Sequence, residues 1–375
     1  MKKEEKYIKS LFQKFKSIDL FFLQLTFALI VSGLIFAFSS STYISDSYTN
    51  NFLSFGIKQF IAFIVGFILL LYFMSLNYKF WYKSAWSISL FILLLMLLIR
   101  FTPLGRTSGG SHRWIDLGII QFQPAEIAKF CVLVLISKFL TKYKWNNFKS
   151  WHYLLFTGIL TIIVLRQPDL GSAAIVGIVT LELIFLFGWP IWLISSFVSL
   201  ALFVIIQTIT HTPYQMERIT YWFKPYLDPS NKGYNLIQAM YALALGGIPG
   251  AGLGNSLQKR RNLPIPHADF IVAVMAEEIG FLGMTAILIL YLTWILRGLY
   301  LTKNIENKFG KILATGIILL TGTQATLNIA VAVGLLPVTG VTLPFFSCGG
   351  TSLILTLAMC GVLFNIFSEK ESKII

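Results

Sequence analysis

Long apolar stretches dominate this sequence and limit the folds that are open to it. About twenty consecutive apolar residues in a helix cross the hydrocarbon core of a bilayer, and the 375-residue chain contains ten such stretches. Hydrophobic residues make up 56% of the chain and charged residues 12%, against about one quarter charged in soluble domains. The sequence therefore predicts an all-α polytopic membrane protein, folded as a single integral membrane domain over residues 1–375. The predicted spans are residues 20–39, 57–76, 81–101, 124–141, 151–166, 169–188, 190–210, 270–296, 309–335 and 343–367.

The distribution of lysine and arginine predicts the orientation of these spans. Residues 1–19 contain six lysines, whereas the loop from Ser40 to Gly56 contains no lysine or arginine. Since basic loops favour the cytoplasmic side, residues 1–19 and the tail 368–375 are both expected to be cytoplasmic. The N-terminal segment continues into a long helix without a small-residue cleavage site, so no cleaved signal peptide is expected.

The large loop of residues 211–269, expected outside between spans seven and eight, breaks the charge pattern. Long loops cross the membrane regardless of charge, so ordinary surface charge is one interpretation. A basic patch for an anionic substrate or lipid head group is the other. Nucleic acid is not an expected partner, because no soluble domain organises the basic residues. Those in this loop are Arg218, Lys224, Lys232, Lys259, Arg260 and Arg261.

Common cofactor and metal motifs are missing from the sequence. The three cysteines are far apart, and the four histidines form no HExxH motif. The glycine-rich stretch GGIPGAGLGN (246–255) lacks the GK[ST] ending of a P-loop and follows a helix rather than a strand. An ATP-driven pump is therefore disfavoured, and a flexible loop or a close-packing helix turn is the better interpretation.

A glutamate and a lysine open the fourth predicted span. In QFQPAEIAKF (121–130), Pro124 suits the first turn of a helix and Glu126 its positive end. Lys129 follows three residues later, on the same face. A capped helix with a neutralised pair is one interpretation. Because charges within a span are costly unless they face a cavity or a partner, a polar site is the other.

LRQPDLGSA (165–173) predicts a tight outer hairpin. Pro168 ends one span and Asp169 can cap the next helix. Capping alone accounts for Asp169, and a phosphate site shared with Arg166 is the alternative.

GSHRWIDLGIIQF (110–122) is too short and too mixed to span a membrane, so it is expected to be interfacial or re-entrant. Trp114 is expected at the depth of the lipid head groups. Arg113 either contacts an anionic substrate or anchors the segment to lipid.

GLLPVTGVTLPFFSCGGTS (334–352) joins the last two spans. Its prolines and glycines predict irregular backbone at membrane depth, which is tolerated only where it is buried in protein or lines a wet cavity. Gln324 and Asn328 on the preceding helix are expected to hydrogen-bond across the bundle.

Three acids stand out in RRNLPIPHADFIVAVMAEEIGFLG (260–283). Glu277 and Glu278 lie about 12 Å into the predicted helix, so they are expected to pair with partners such as Lys129 or to stay protonated. Asp269 stands at the start of the helix, next to His267 and a cluster of cations. It is either an N-cap or a general base with phosphate-binding neighbours.

Together these motifs resemble the SEDS family (shape, elongation, division and sporulation), whose members are polytopic peptidoglycan glycosyltransferases. The resemblance covers nearly the whole chain, because nine motifs occur in the family's order. Residues 214–235 and GLGNSLQK are more similar to the cell-division, FtsW-type branch than to the rod-elongation, RodA-type branch. The nine motifs are RWIDLG, QPAEIAK, QPDLGSA, GYNLIQA, GLGNSLQK, HADFI, AEEIGFLG, NIAV and GLLPVTGVTLPFFSCGGTS.

The resemblance implies a ten-helix fold and the polymerisation of lipid II at the outer membrane face during septal wall synthesis, with release of undecaprenyl pyrophosphate. It implies a place in the bacterial cytoplasmic (inner) membrane at the division septum. The implied partners are a class B penicillin-binding protein (the transpeptidase) and other divisome membrane proteins. No cofactor is certain, and Mg²⁺ or Mn²⁺ is the candidate. A lipid II flippase and a non-catalytic division scaffold are the alternative functions.

Asp269 matches the catalytic aspartate of the family. Where the family usually has LPExHTDF this chain has LPIPHADF, so Ile265 replaces a glutamate and Ala268 a threonine. These two replacements leave the metal and substrate contacts of this stretch open. The residues expected to bind substrate are Arg113, Trp114, Glu126, Lys129, Arg218, Lys259, Arg260, His267 and Ser347.

Overall fold

The computed structural model describes residues 14–49, 54–101, 105–108, 111–116, 121–143, 151–167, 169–261 and 269–369. These ranges are mostly helical, as predicted, and ten of their helices overlap the ten predicted spans. The ten are α1 (Leu20–Thr49), α2 (Ser54–Ser75), α3 (Lys79–Phe101), α4 (Pro124–Lys142), α5 (Trp151–Arg166), α6 (Leu170–Leu186), α7 (Ile191–His211), α11 (Ile271–Lys303), α12 (Lys308–Ala332) and α13 (Gly350–Ser368).

Seven of these helices are long and apolar enough to cross a membrane, namely α1, α2, α3, α7, α11, α12 and α13. Helices α5 and α6 are apolar but shorter, and α4 carries the charged residues Glu126 and Lys129. The chain is thus a multi-pass membrane protein. The count of ten crossings and the cytoplasmic location of both termini stay predictions.

The predicted loop between α7 and α11 contains further helices in its described part. These are α8 (Pro213–Phe223), a 3-10 turn (Pro225–Leu227), α9 (Tyr234–Gly246) and the short α10 (Gln258–Arg261). Helix α9 packs against α11, so this part of the segment lies on the bundle.

A small antiparallel sheet lies between α3 and α4, where an interfacial or re-entrant segment was expected. Its strands are β1 (Gly105–Ser108), β2 (Ser111–Asp116) and β3 (Gln121–Phe122), in the order β1-β2-β3. Strand β2 contacts α3 and α4. The segment alternates polar and apolar residues too briefly for the pattern to separate a short strand from an interfacial turn.

Helices α12 and α13 form the centre of the bundle, since most of their residues are buried. Helix α12 packs against α4, α6 and α11, and α13 packs against α2. At the α2–α13 contact, a Cβ atom on Gly361 would lie 2.3 Å from the carbonyl oxygen of Leu70. Glycine is therefore required there, because small residues let two membrane helices approach closely.

Helix α11 is broken at Gly280, whose backbone has φ 64° and ψ −170°. The loop after α9 satisfies the backbone groups that the break releases. Ala251 N–H donates to the carbonyl of Glu277 and Gly252 N–H to that of Glu278, both at 2.9 Å, while Phe281 N–H donates to Gly247. The glycine-rich stretch 246–255 is thus a close-packing turn, the second of the two interpretations offered for it.

Candidate active site

Polar groups at or next to the ends of five helices meet at one end of the bundle. Gln123 precedes α4 and donates from Nε2 to the Asp169 carboxylate, before α6, at 3.0 Å. Its backbone N–H donates to Oγ1 of Thr351 at the start of α13. Asn328, near the end of α12, donates to the carbonyl of Asp269, just before α11. The motifs that sequence analysis singled out are therefore brought together in space.

Asp269 lies at the start of α11, and its side chain is partly exposed. The N-cap of α11 is Phe270, without a side-chain cap, so the interpretation of Asp269 as an N-cap is wrong. Its carboxylate borders the segment that connects α12 to α13, because a Cβ atom on Gly340 would lie 3.8 Å from Oδ2 of Asp269. This position suits a carboxylate that serves a ligand.

Arg218 on α8 is joined to the same connecting segment. Its Nη1 donates to the carbonyl of Val338 at 2.9 Å, and its Nη2 donates to the hydroxyl of Tyr214 at 2.5 Å. Val338 is two residues from Gly340, which lies against Asp269. A guanidinium has five N–H donors, so these two contacts leave donors for an anionic ligand.

Glu126 and Lys129 form the predicted pair at the start of α4. Lys129 Nζ donates to Glu126 Oε1 at 2.7 Å, and to Oε1 of Gln324 at 2.9 Å. Lys129 is buried and Glu126 nearly so. Neutralisation by pairing is therefore confirmed, and a role of the pair toward substrate stays a prediction.

Asp169 is the N-cap of α6, as predicted. Its Oδ1 accepts from the backbone N–H of Ser172 at 2.9 Å and its Oδ2 from the hydroxyl of that serine at 3.0 Å. Asp169 is buried, whereas Arg166 is exposed. Since the carboxylate is occupied by the cap and by Gln123, the capping interpretation accounts for it.

Glu277 and Glu278 are both buried and both partnered, but not by Lys129. Glu278 accepts from Nζ of Lys259 at 2.5 Å and from the hydroxyl of Ser39 at 2.7 Å. Glu277 accepts from the hydroxyl of Ser256 at 2.5 Å, and also from the backbone N–H of Leu257 at 2.7 Å. The expectation of structural pairing is confirmed, and the suggested partner Lys129 is wrong.

Lys259 was expected to contact a substrate phosphate. That contact stays a prediction, and the structure shows the protein partners of the ammonium. The residue is 3% exposed. Its ammonium has three N–H donors, which reach Glu278 and both the carbonyl and the hydroxyl of Ser39. Ser39, Lys259 and Glu278 thus form one hydrogen-bonded group. It joins α1, α10 and α11.

Ser347, another expected substrate contact, is buried within the turn that precedes α13. Its Oγ accepts from the backbone N–H of Leu343 at 2.7 Å, and its carbonyl accepts from Nε2 of Gln59 at 3.2 Å. The hydroxyl therefore holds the turn, and a substrate contact of Ser347 stays a prediction.

The other expected substrate-binding residues are only partly described. Trp114 lies on β2 and is half-buried. Arg113 and Arg260 lie on β2 and α10, but their side chains are outside the described part of the structure. His267 and the replaced positions Ile265 and Ala268 also lie outside the described residues.

Sequence reasoning missed Ser39, Ser256 and Gly280. Nothing in the motifs links Ser39 to a site more than two hundred residues away. Gly280, by contrast, had a local signal, because a glycine inside an apolar run can mark a break.

Among the residues that the structure describes, no three His, Cys, Asp or Glu side chains come together as a metal site. Glu126 and Lys129 are instead paired with each other, and Asp169 binds the amide of Gln123. A divalent cation therefore finds no set of protein carboxylates in the described ranges that would hold it by itself.

The sequence matches the model of a cell cycle protein family, FtsW, RodA and SpoVE, over residues 19–372. It is 35% identical to stage V sporulation protein E of Bacillus subtilis (strain 168), over 93% of this chain and 97% of that protein. It is 34% identical to the probable peptidoglycan glycosyltransferase FtsW of Geobacter sp. (strain M18), over 94% of this chain and 98% of that protein.

Two solved structures share the fold. One is a chain from a study of the structural coordination of polymerization and crosslinking by a peptidoglycan synthase complex, with TM-score 0.76, 29% identity, and 94% and 98% of the two chains covered. The other is the rod shape determining protein RodA of Thermus thermophilus, with TM-score 0.66, 27% identity, and 94% and 97% covered. The family match, the relatives and the shared fold agree with the SEDS resemblance, and the chain belongs to the FtsW, RodA and SpoVE family of cell cycle proteins.

Proposed function

We propose that this chain is a peptidoglycan glycosyltransferase that polymerises lipid II into glycan strands during septal wall synthesis. The observation that carries the proposal is the placement of Asp269. Its carboxylate lies at the polar end of a membrane bundle, beside the segment to which Arg218 is tied. The FtsW relative is named a probable peptidoglycan glycosyltransferase, which supports the same activity here.

The proposed step joins two lipid-linked disaccharides. The 4-hydroxyl oxygen of the acceptor attacks the anomeric carbon of the donor, and the bond from that carbon to the pyrophosphate oxygen breaks. The hydroxyl proton passes to Asp269, and the bonding pair leaves with undecaprenyl pyrophosphate. Displacement of an α-linked pyrophosphate in line gives a β-linked glycan, so one base and a neutralised leaving group suffice.

Arg218 is the described cation best placed for the leaving group, because its remaining donors suit phosphate oxygens. Arg113 and Arg260 stay proposals for the same role. Any Mg²⁺ or Mn²⁺ would be held chiefly by pyrophosphate oxygens, which are the hard ligands these ions prefer. No step of the proposal depends on it.

The lipid substrates require a site at a membrane surface. Their polyprenyl tails need the bilayer and their sugars need water, so the polar end of the bundle suits both. We propose that this end faces outward from the bacterial cytoplasmic membrane, at the division septum. A class B penicillin-binding protein and other divisome membrane proteins are the proposed partners. The relative found in a peptidoglycan synthase complex supports the first of these.

The flippase alternative required Glu126, Lys129, Glu277 and Glu278 to form one polar path through the bundle. In the structure they form separate groups, since Glu126 pairs with Lys129 while the other two acids bind the 256–259 segment. The scaffold alternative predicts that all these polar residues are dispensable. Neither the flippase nor the scaffold alternative explains why the Asp269 carboxylate lies at the polar end of the bundle.

The decisive experiment measures polymerisation of labelled lipid II by the purified chain, alone and with its transpeptidase. Asp269→Ala should lower the rate by about 10²–10⁴-fold, the usual contribution of a positioned base. Asp228→Ala removes a carboxylate from the same outer segment and should leave the rate unchanged.

Asp269→Asn separates the flippase from the polymerase. A flippase should keep most of its transport activity in this variant, whereas a polymerase should lose its activity. Wild-type turnover by folded Asp269→Ala would remove Asp269 from the mechanism. If the wild-type chain with its transpeptidase does not polymerise lipid II, the glycosyltransferase proposal is wrong.

A further inference from the structure

Two amide side chains one turn apart on α12 hold the segment that borders Asp269. Gln324 Nε2 donates to the carbonyl and the hydroxyl of Thr342 at 3.0 and 3.1 Å. Asn328 Nδ2 donates to the carbonyl of Val341 at 2.6 Å and to that of Asp269 at 3.2 Å. Residues four apart share a helix face, so consecutive carbonyls of the connecting segment are held from one side.

The segment between α12 and α13 needs such partners. Residues 333–349 are not helical, and irregular backbone inside a membrane protein must find hydrogen bonds from the protein or from water. Phe345 within it has φ 67°, a strained conformation for a bulky residue. Gly340, next to Val341, lies against the Asp269 carboxylate. A shift of the segment would therefore displace the surroundings of that carboxylate.

The same amides connect two charged groups of the site. Gln324 Oε1 accepts from Lys129, which is paired with Glu126. Thr342 Oγ1, in turn, lies 2.8 Å from Oγ of Ser352 on α13. A continuous set of hydrogen bonds thus runs from the Glu126–Lys129 pair, through Gln324 and the connecting segment, to Asn328 and the backbone of Asp269.

We infer that Gln324 and Asn328 are positioning residues, which set the location of Asp269 relative to the Glu126–Lys129 pair by clamping residues 341 and 342. The inference rests on the proposed glycosyl transfer. Neither amide touches substrate in this role. Both are buried, at 5% and 1% exposure, so their contribution is made through the backbone that they hold.

Replacing each amide by its isosteric acid tests the clamp. Asn328→Asp keeps the size of the side chain but turns the Nδ2 donor into an oxygen that faces two carbonyls. Gln324→Glu keeps an acceptor for Lys129 and loses the donors to Thr342. Since a misplacement of about 1 Å at a reacting centre costs on the order of 10²-fold in rate, each variant should lower kcat for lipid II polymerisation by about 10- to 100-fold, with KM little changed.

Thr321→Val is the matched control. Thr321 is buried on the same helix, and its hydroxyl donates within α12, to the carbonyl of Ile317 at 2.9 Å. This variant should keep the wild-type kcat. Thermal unfolding of all three variants in detergent shows whether a lower kcat comes from lost folded protein, and kcat is compared per folded molecule.

Equal kcat per folded molecule in Asn328→Asp, Gln324→Glu and the wild type would overturn the inference. A rise in KM with kcat unchanged would also overturn it, because that result indicates direct substrate contact. If the wild-type chain polymerises and Asp269→Ala does not, either result leaves the proposed function standing. If the wild-type chain does not polymerise lipid II, both the proposed function and this inference are wrong.

Discussion

The ammonium of Lys259 and the carboxylate of Glu278 meet at 2.5 Å in the interior of the bundle, with both side chains almost fully buried. The contact ties α10 to the first half of α11. Glu277, the adjacent acid, binds Ser256 and Leu257 just before α10. Two neighbouring acids thus hold residues 256–259 against α11, which gives Lys259 a structural task.

Lys259→Met should destabilise the protein strongly, because it leaves the Glu278 charge buried and unpaired. Breaking a buried pair from one side costs about 3–5 kcal/mol. The double variant Lys259→Met/Glu278→Leu removes both charges and should regain most of the stability and the lipid II polymerase activity. Thermal midpoints in detergent measure the stability, and lipid II turnover per folded molecule measures the activity. A double variant that folds normally and is inactive would show that the pair serves the reaction beyond its structural task, as the substrate contact of Lys259 predicts.

Gly280→Ala should destabilise the break in α11. The backbone at Gly280 has φ 64°, and a Cβ atom would lie 2.3 Å from the backbone nitrogen of Gly250. Strain of this kind costs about 1–3 kcal/mol before any clash is counted. The expected result is a lower thermal midpoint together with lower polymerase activity.

Gly177→Ala on α6 is the control for Gly280→Ala, since a Cβ atom there meets nothing within 4 Å. In a helix interior, alanine is favoured over glycine by about 0.5–1 kcal/mol, so this variant should be neutral or slightly more stable. Equal midpoints for Gly280→Ala and the wild type would mean that the break tolerates a side chain.

The helices could be predicted from the sequence because length and apolar composition suffice to define a membrane helix. Their ends could be predicted less well. Helix α1 continues to Thr49, ten residues beyond the predicted span, because a polar serine- and threonine-rich stretch lacks the proline or glycine that would end it. The segment 211–269 was expected to be a loop, since α8 and α9 are too short to be recognised as spans.

The local part of the site was predictable, and the long-range part was not. Glu126 with Lys129, and Asp169 with Ser172, are three residues apart, so helix geometry alone brings them together. The partner of Glu278 depends on how α1, α10 and α11 pack, which sequence spacing alone does not reveal. Lys129 was expected as an example of such a partner. In the structure Lys259 binds Glu278, while Glu126 and Gln324 occupy Lys129.

Arg166→Gln should leave the KM for lipid II unchanged. Its proposed phosphate site required Asp169, but that carboxylate is buried and occupied by Ser172 and Gln123. Asp169→Ala should instead destabilise the protein, by about 1–3 kcal/mol, because it leaves buried donors unpaired. A rise in KM for folded Arg166→Gln, measured in the same polymerisation assay, would restore the phosphate-site interpretation.

The ion pair between Asp19 and Arg297 gives the fold a predictable pH dependence at the other end of the bundle. Arg297 donates from Nε to Asp19 Oδ1 at 3.1 Å and also from Nη2 to Oδ2. The hydrogen bond from Arg297 holds the pKa of Asp19 below its usual value, against the opposing effect of burial. The ionised carboxylate therefore stabilises the fold at pH values above about 3.9, the pKa in the unfolded chain, and this stabilisation is lost as the pH falls through the lower pKa of the folded state.

Asp19 also caps α1, since its Oδ1 accepts from the backbone N–H of Phe22 at 2.8 Å. Asp19→Asn keeps a cap and removes the charge, so near neutral pH it should cost at most about 1 kcal/mol, as for other partly exposed ion pairs. Asp19→Ala removes the cap as well and should cost about 1 kcal/mol more. Thermal midpoints across pH should show the wild type converging on Asp19→Asn as the medium becomes acidic. A gap between these two proteins that stays constant from pH 7 down to pH 3 would mean that the Asp19 charge contributes nothing to the fold.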